Sequence, residues 1–407
     1  MPHSILAEVT LGYQPVWNQW RKRSGVRLLV DTDETHNKVN GQHLLKAIAQ
    51  LWPQCADRLL LSTTTPALLH DLFQTNAAQS MGIEVQDDWL SDRTFSSRVQ
   101  QAQASGTRLV WHGAPGQAPA ADVQNWFHNV LRSLSPQEAL RALRAAQGQR
   151  SKAGTSAAQA APSPVVANGL YEGLGSPALV SHALDVQGAA GVVGWPTDEV
   201  LHSYHFKQIQ PARHLLQALV QAIDDDESMD TIEHHMGNDP LLVYRFLRYV
   251  NSAGFGLQRE IDNLREGLMA VGYSQLRAWA MEKMPHTSDD PNLDPIRSSI
   301  VLRARIMQEL AAAGAQEHLR REVFMCGIFS QLDLLLDEPL ATVLNRLPVP
   351  QRVSDAILKN SGPYAPWLAV ATALECGSTS VIREMCEIHG VAAQDVNSAM
   401  LRALALN

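Results

Sequence analysis

A change of texture near Pro211 limits the fold more than any other feature of the chain. Before it, short β-prone runs alternate with amphipathic segments; after it, only helical patterns remain. The early runs are Ile5 to Leu11, Arg27 to Val30, Leu59 to Leu61, Ile83 to Val85, Arg108 to Trp111, Val165 to Ala167 and Gly191 to Val193. Between them, Gly41 to Leu51, Pro66 to Phe73, Phe95 to Ala104 and Asp122 to Leu131 carry apolar residues at helical spacing. Such alternation favours parallel βα units over hairpins, because a crossover helix returns the chain to the same end of the sheet. The expected fold class is α/β plus all-α: a (β/α) barrel over residues 1–206, shorter than the usual ~250 residues, then a helical domain over 207–407. A chain of 407 residues is long enough to need more than one core. The Ala-, Gln-, Ser- and Gly-rich stretch from Ala145 to Pro164 reads as a mobile insertion.

Helix ends in the second half are well marked. Leu215, Leu216, Leu219, Val220 and Ile223 share one helical face, and Asp224 to Glu227 close that segment. Asp230 with Glu233 resembles a capping box opening a helix from Thr231 to Met236, which Gly237 stops. Asp239 can cap the next helix, and Pro240 suits its first position, where no amide hydrogen is needed. That helix runs into Asn251, Ser252 and Ala253 and breaks at Gly254, Phe255 and Gly256. Asp294 with Pro295 repeats the device, for a helix through Ile300, Met307 and Leu310 to Gly314. Further helices are expected at Arg321 to Leu336, Pro339 to Leu347, Pro350 to Lys359, Pro366 to Glu375, Ser378 to His389 and Asp395 to Leu406.

Charge narrows the partners. Residues 1–200 hold 15 basic and 16 acidic side chains and residues 201–407 hold 18 and 25, so the acidity lies in the helical half, a poor match for nucleic acid. No apolar run approaches the ~20 residues that span a bilayer, and the first residues lack a signal-peptide pattern, so a cytoplasmic location is expected. Cys55, Cys326, Cys376 and Cys386 have no paired or zinc-like spacing and read as reduced core residues.

Few residues point to chemistry. Asp224, Asp225, Asp226 and Glu227 are adjacent on a helix end, so their side chains diverge and a solvated terminus is expected. His234 and His235 are neighbours and cannot converge on one ion from a helix. Asn251 and Ser252 sit where small polar side chains satisfy the last carbonyls of a helix, or meet a partner. Gly254 to Gly256 has no preceding strand and no third glycine, so it is a breaker and not a dinucleotide loop.

The tract NDPLLVYRFLRYVNSAGFG from Asn238 to Gly256, followed by IDNLREGLMAVGYSQLRAW from Ile261 to Trp279, resembles the HDOD domain, and the resemblance runs from about Leu215 to the C-terminus. It implies an all-helical bundle related to HD phosphohydrolases but without their metal ligands, used in bacterial signalling. The departures agree: Ser298 stands where the family often has His, and the helix that would bear the His-Asp pair reads Val323 to Gln331, with Ser330 and Gln331 at its end. Neutral hydroxyl and amide groups do not replace imidazole and carboxylate ligands.

The first half resembles an EAL domain, a barrel whose active members hydrolyse cyclic di-GMP. Tyr13 to Val16 is similar to that family's opening Gln-Pro-Ile segment, and GVVGWP from Gly191 to Pro196 to its closing Gly-Tyr-Phe-x-x-Pro segment. The family needs carboxylates, an Asn and a Lys around two divalent ions. Here the resemblance places Arg27 near the signature Glu, Trp111 and His112 where an Asp pair belongs, and Asn168 in place of a Glu, with Glu84 surviving. One carboxylate cannot hold two ions.

The expected protein is therefore a degenerate EAL-like barrel joined to an HDOD domain, a cytoplasmic, non-catalytic regulator with no cofactor. It contacts other signalling proteins and is linked to cyclic di-GMP pathways. A sensor that binds cyclic di-GMP without turnover is the second reading. A phosphohydrolase with a metal held by His234, His235 and Asp239 is the third.

Overall fold

A computed structural model describes residues 4–32, 39–55, 58–75, 81–151, 162–255, 259–311 and 316–406. The first half is a closed barrel of eight strands in sequential order: β1 (Val9–Trp17), β2 (Arg23–Thr32), β3 (Leu59–Thr63), β4 (Gly82–Gln86), β5 (Arg108–His112), β6 (Asn129–Ser133), β7 (Leu170–Glu172) and β8 (Gly191–Val193). Strands β2 to β8 pair in parallel. β1 instead runs antiparallel to both β2 and β8, so the barrel opens with a hairpin that the βα alternation does not predict. Asn18 closes that hairpin by accepting from the amides of Trp20 and Lys22, and Arg21 takes the left-handed conformation between them.

Helices α1 (Gly41–Leu51), α2 (Pro66–Phe73), α3 (Arg93–Ala104), α4 (Pro136–Ser151), α5 (Pro177–Ser181) and α6 (Thr197–His202) accompany the parallel strands. Three assignments change. Ile5 to Leu11 is not one strand: Ile5–Ala7 is a 3₁₀ turn and β1 begins at Val9. Asp122 to Leu131 is not a helix: a single 3₁₀ turn at Gln124–Trp126 leads into β6, whose pairing to β5 overrides the local pattern. Val165 to Ala167 is not a strand; β7 lies just beyond, at Leu170–Glu172. Of the stretch 145–164, the start belongs to α4, and residues 152–161 lie outside the described residues.

Side chains alternate across each strand. Inward-facing Val16, Leu60, Val110, Leu131 and Val193, with Leu170, form a separate apolar cluster that fills one end of the barrel. One step further along the same strands the inward residues become Gln14, Arg27, Ser62, Glu84, His112, Ser133 and Glu172, so the other end is polar.

The second half is helical: α7 (Arg213–Asp224), α8 (Met229–Gly237), α9 (Pro240–Val250), α10 (Leu264–Lys283), α11 (Asp294–Leu310), α12 (Glu317–Phe329), α13 (Leu332–Leu336), α14 (Leu340–Leu344), α15 (Gln351–Lys359), α16 (Ala365–Glu375), α17 (Thr379–His389) and α18 (Ala393–Ala405). Ser228, not Asp230, caps α8, because its hydroxyl accepts from Thr231 while Asp230 and Glu233 turn to Arg265. Asp294 is the first residue of α11 and not its cap, and Gly314 lies outside the described residues. The expected helix Arg321 to Leu336 is two helices, α12 and α13, parted at Ser330 and Gln331. Within α10, Gly272 has φ +70°, a kink that glycine adopts without steric cost.

The two halves share one core. The β1–β2 hairpin has no helix of its own to cover β1, and α16, α17 and α18 lie on that strand. A continuous buried cluster runs from Leu11, Tyr13 and Leu28 through Leu374, Ile382 and Met400. Cys55, Cys326 and Cys386 are buried free thiols; Cys376, expected in the core, is exposed at the end of α16. No helix among the described residues is long and apolar enough to cross a membrane.

Candidate functional site

The polar end of the barrel is closed by four ionisable side chains from four strands. Arg27 on β2 donates from Nε and Nη2 to the two oxygens of Glu84 on β4, at 2.7 and 2.6 Å. Its Nη1 donates to Glu172 Oε2 on β7 at 2.7 Å and to Gln14 Oε1 on β1 at 3.1 Å. His112, at the end of β5, lies between the same acids, with Nδ1 2.8 Å from Glu84 Oε1 and Nε2 2.8 Å from Glu172 Oε1. Ser133 donates to Glu172 Oε1 at 2.6 Å and Gln86 to Glu84 Oε1 at 2.8 Å. All four carboxylate oxygens are therefore engaged.

The electrostatics follow. Burial alone would lower the His112 pKa, but hydrogen bonds to Glu172 and Glu84 and their charges push it up to about 9, so the imidazole carries both protons at neutral pH. Burial would raise Glu172, yet the His112 hydrogen bond, the Arg27 charge and Ser133 bring it down to about 2. Glu84 is also held below the usual carboxylate range: burial opposes ionisation, and His112 and Arg27 overcome it. Two cations and two anions cancel. A divalent ion placed between the acids would have to displace a bidentate guanidinium and would face an imidazolium, so this donor set does not fit a metal pair.

The positions anticipated from sequence separate into two groups. Arg27, His112 and Glu84 meet in the barrel. Trp111 does not: it is buried on the outer face of β5 and donates from Nε1 to Asp87 at 2.7 Å, since adjacent strand residues point to opposite faces. Nor does Asn168, exposed at φ +61° in the turn before β7, at the far end from the polar mouth. Glu172 was missed. It is the second inward acid, so the barrel holds two carboxylates where the sequence offered one; the signal was the short run Leu170, Tyr171, Glu172, whose alternation places Glu172 inward.

In the helical half, Asp239 is fully buried and caps α9: Oδ1 accepts from Leu241 and Leu242 at 2.8 and 3.4 Å, and Oδ2 accepts from the Ala212 amide at 2.7 Å. Pro240 holds the first helical position. Asn251 clamps the following loop, donating to the Leu247 and Ile261 carbonyls and accepting from the Ile261 amide, each at 2.8 Å, while Ser252 is exposed. The His234 and His235 rings lie 6.2 Å apart at 79°, and burial beside Arg305 holds His234 low. Asp224 pairs with Arg277 at the end of α7. Ser298 is exposed on α11. Ser330 donates to the Gly327 carbonyl at 2.7 Å and accepts from Arg303 at 3.2 Å, and Arg303 in turn binds Glu375 at 2.7 Å. Gln331 Oε1 is buried without a partner among the described residues. Among the described residues no group of three or more His, Cys, Asp or Glu side chains could hold a metal ion.

In comparison with known proteins, residues 209–337 match the model of the HDOD domain. The chain is 24% identical over 172 residues to the cyclic di-GMP phosphodiesterase CdgJ of Vibrio cholerae, covering 42% of this chain and 40% of that protein. It is 20% identical over 165 residues to the uncharacterized protein YuxH of Bacillus subtilis, with 40% of each chain covered. The chain thus spans about 40% of the length of these curated relatives. A crystal structure of the MmoQ response regulator from Methylococcus capsulatus matches 47% of this chain and 98% of its own at a TM-score of 0.38 and 16% identity.

Proposed function

We propose that this chain is a non-catalytic bacterial signal-transduction protein: a degenerate EAL-like barrel fused to an HDOD domain, acting through contacts with other signalling proteins in a cyclic di-GMP pathway. The HDOD match and the similarity to a protein named a cyclic di-GMP phosphodiesterase support the pathway. One observation carries the loss of turnover. Arg27 and His112 occupy the space between Glu84 and Glu172, and every oxygen of the two acids is spent on protein donors. Hydrolysis of a phosphodiester needs a water made nucleophilic and a counter-charge for the developing oxyanion; ions held by carboxylates usually supply both. Here the protein's own cations take those carboxylates.

In the helical half the same logic applies. Asp239 is consumed as a cap and Ser330 by Arg303, so neither offers a charged ligand. With no chemistry in either half, surfaces carry the function.

The test is a turnover assay of the purified full chain with cyclic di-GMP, supplied with magnesium and with manganese. Product formation at the buffer background is expected. Saturable, metal-dependent hydrolysis abolished by Glu84→Gln would overturn the assignment.

A further inference from the structure

The β1–β2 hairpin meets the helical region through a three-way contact. Lys22, at the end of the hairpin turn, has its ammonium 3.0 Å from Asp294 Oδ2, on the first residue of α11, and 3.0 Å from His214 Nε2, on the second residue of α7. An ammonium has donors only, so a ring nitrogen this close must offer it a lone pair. His214 is therefore neutral in this arrangement, with its proton on Nδ1.

The same carboxylate oxygen has a second claimant. His214 Nε2 lies 3.6 Å from Asp294 Oδ2, while Asp294 Oδ1 is engaged by Arg297 at 3.2 Å. Once Nε2 carries a proton it no longer accepts from Lys22, repels it, and can itself donate to Oδ2. The charged groups facing the ring are Lys22 from the hairpin, Asp294 and Arg297 from α11, and Asp239 from the start of α9. Arg213, its neighbour on α7, pairs with Asp289 at 2.9 Å. Partial burial lowers the His214 pKa; Asp294 opposes this, and Lys22 and Arg297 add to it, so the ring stays neutral to below 6.5. A place in the first turn of α7, at the positive end of its dipole, acts in the same direction.

We propose that Lys22, His214 and Asp294 form an acid-sensitive contact between the barrel and the helical region. With His214 neutral, Asp294 holds the hairpin through Lys22. With His214 protonated, Asp294 pairs with the imidazolium inside the helical region and Lys22 is released to solvent. Arg21 still donates to Asn292 Oδ1 at 3.2 Å, and Trp195 to the Asn292 carbonyl at 3.2 Å, so acid loosens this corner without parting the halves. The contact lies at the amino-terminal ends of the parallel strands, away from the polar mouth, and the inference does not depend on the assignment above.

NMR titration of labelled histidines in the full chain tests it, with His214 assigned through His214→Gln, together with hydrogen exchange of hairpin residues 18–22. The His214 ring should titrate below 6.5. Lys22→Met should raise its midpoint by about half a pH unit or more, because Asp294 is then left to the imidazolium. Hairpin exchange, corrected for its intrinsic pH dependence, should quicken about two- to fivefold as pH falls through the His214 midpoint, the size of one partly exposed ion pair. His214→Gln keeps an acceptor for Lys22 that takes no proton and should abolish that step. The Lys22 and His214 side chains are 55% and 45% exposed, so neither change disturbs a core. A His214 midpoint at or above 6.5 in the unmodified protein, a midpoint no higher in Lys22→Met, or an exchange step that survives in His214→Gln overturns the proposal.

Discussion

Asn397, in the last helix, accepts a hydrogen bond from the amide of Leu11, in the first strand, at 3.0 Å. Its Nδ2 donates to the carbonyls of Leu6 and Val9 at 2.8 Å each, so one buried side chain ties the end of the helical half to the start of the barrel. Asn397→Ala leaves three backbone groups unpaired in a closed core, at roughly 1–3 kcal/mol for each such group. Chemical denaturation should show a loss of about 3 kcal/mol or more. Residues 207–407 alone should expose the faces of α16, α17 and α18 and bind a hydrophobic dye; a well-folded, dye-silent fragment would contradict the shared core.

Removing Arg27 strands two carboxylates. Arg27→Met leaves Glu84 and Glu172 with His112 as their only cation and should destabilise the protein by about 3–5 kcal/mol. Adding Glu84→Gln removes the uncompensated charge and should restore much of the loss. A double variant less stable than the single one would refute this account of the network.

The network also sets a pH window. His112 has a folded pKa raised from 6.5 to about 9, so its contribution is complete below 6.5 and is lost as pH rises through about 9. Glu172 is lowered from 4.5 to about 2, so its contribution is complete above 4.5 and is lost as pH falls through about 2. The thermal midpoint should therefore be flat from 4.5 to 6.5 as far as these two groups are concerned, with His112→Gln reducing the alkaline decline and Glu172→Gln the acid one. A His112 ring titrating near 6.5 by NMR is the contrary result.

Asp239 tests whether the helical half contains a cap or a ligand. Arg297 lies buried with its Nε 3.6 Å from Asp239 Oδ2. Asp239→Ala loses a cap of about 1 kcal/mol and leaves the Arg297 guanidinium with Asp294, 3.2 Å away, as its remaining counter-charge, for a total of about 2–3 kcal/mol. Asp239→Asn keeps an acceptor and should cost less. Chelator should not move the midpoint of the unmodified protein; a chelator-sensitive midpoint would revive a metal at His234, His235 and Asp239.

Much of this was legible because it is local. The cap at Asp239, Pro240 behind it, the breaks at α7 and α9 and the βα alternation all follow from residues within a turn of one another, where propensity and patterning act. The placement of β6 was not, since Asn129–Ser133 has no strand pattern strong enough to outweigh a helical reading until β5 presents its open edge. Trp111 and Asn168 failed as site residues for a related reason: facing and strand end depend on register, which a one-residue step reverses.

By itself, then, the sequence determined that a barrel-forming half is followed by a helical half and that Asp239 and Pro240 open α9. Only the tertiary structure decided that Glu172 joins Glu84, that both are neutralised from within by Arg27 and His112, and that α16 to α18 supply the wall missing over β1. Those outcomes depend on contacts between residues dozens to hundreds of positions apart, and an antiparallel β1, left bare on its outer face, can bury that face only against helices the chain makes last.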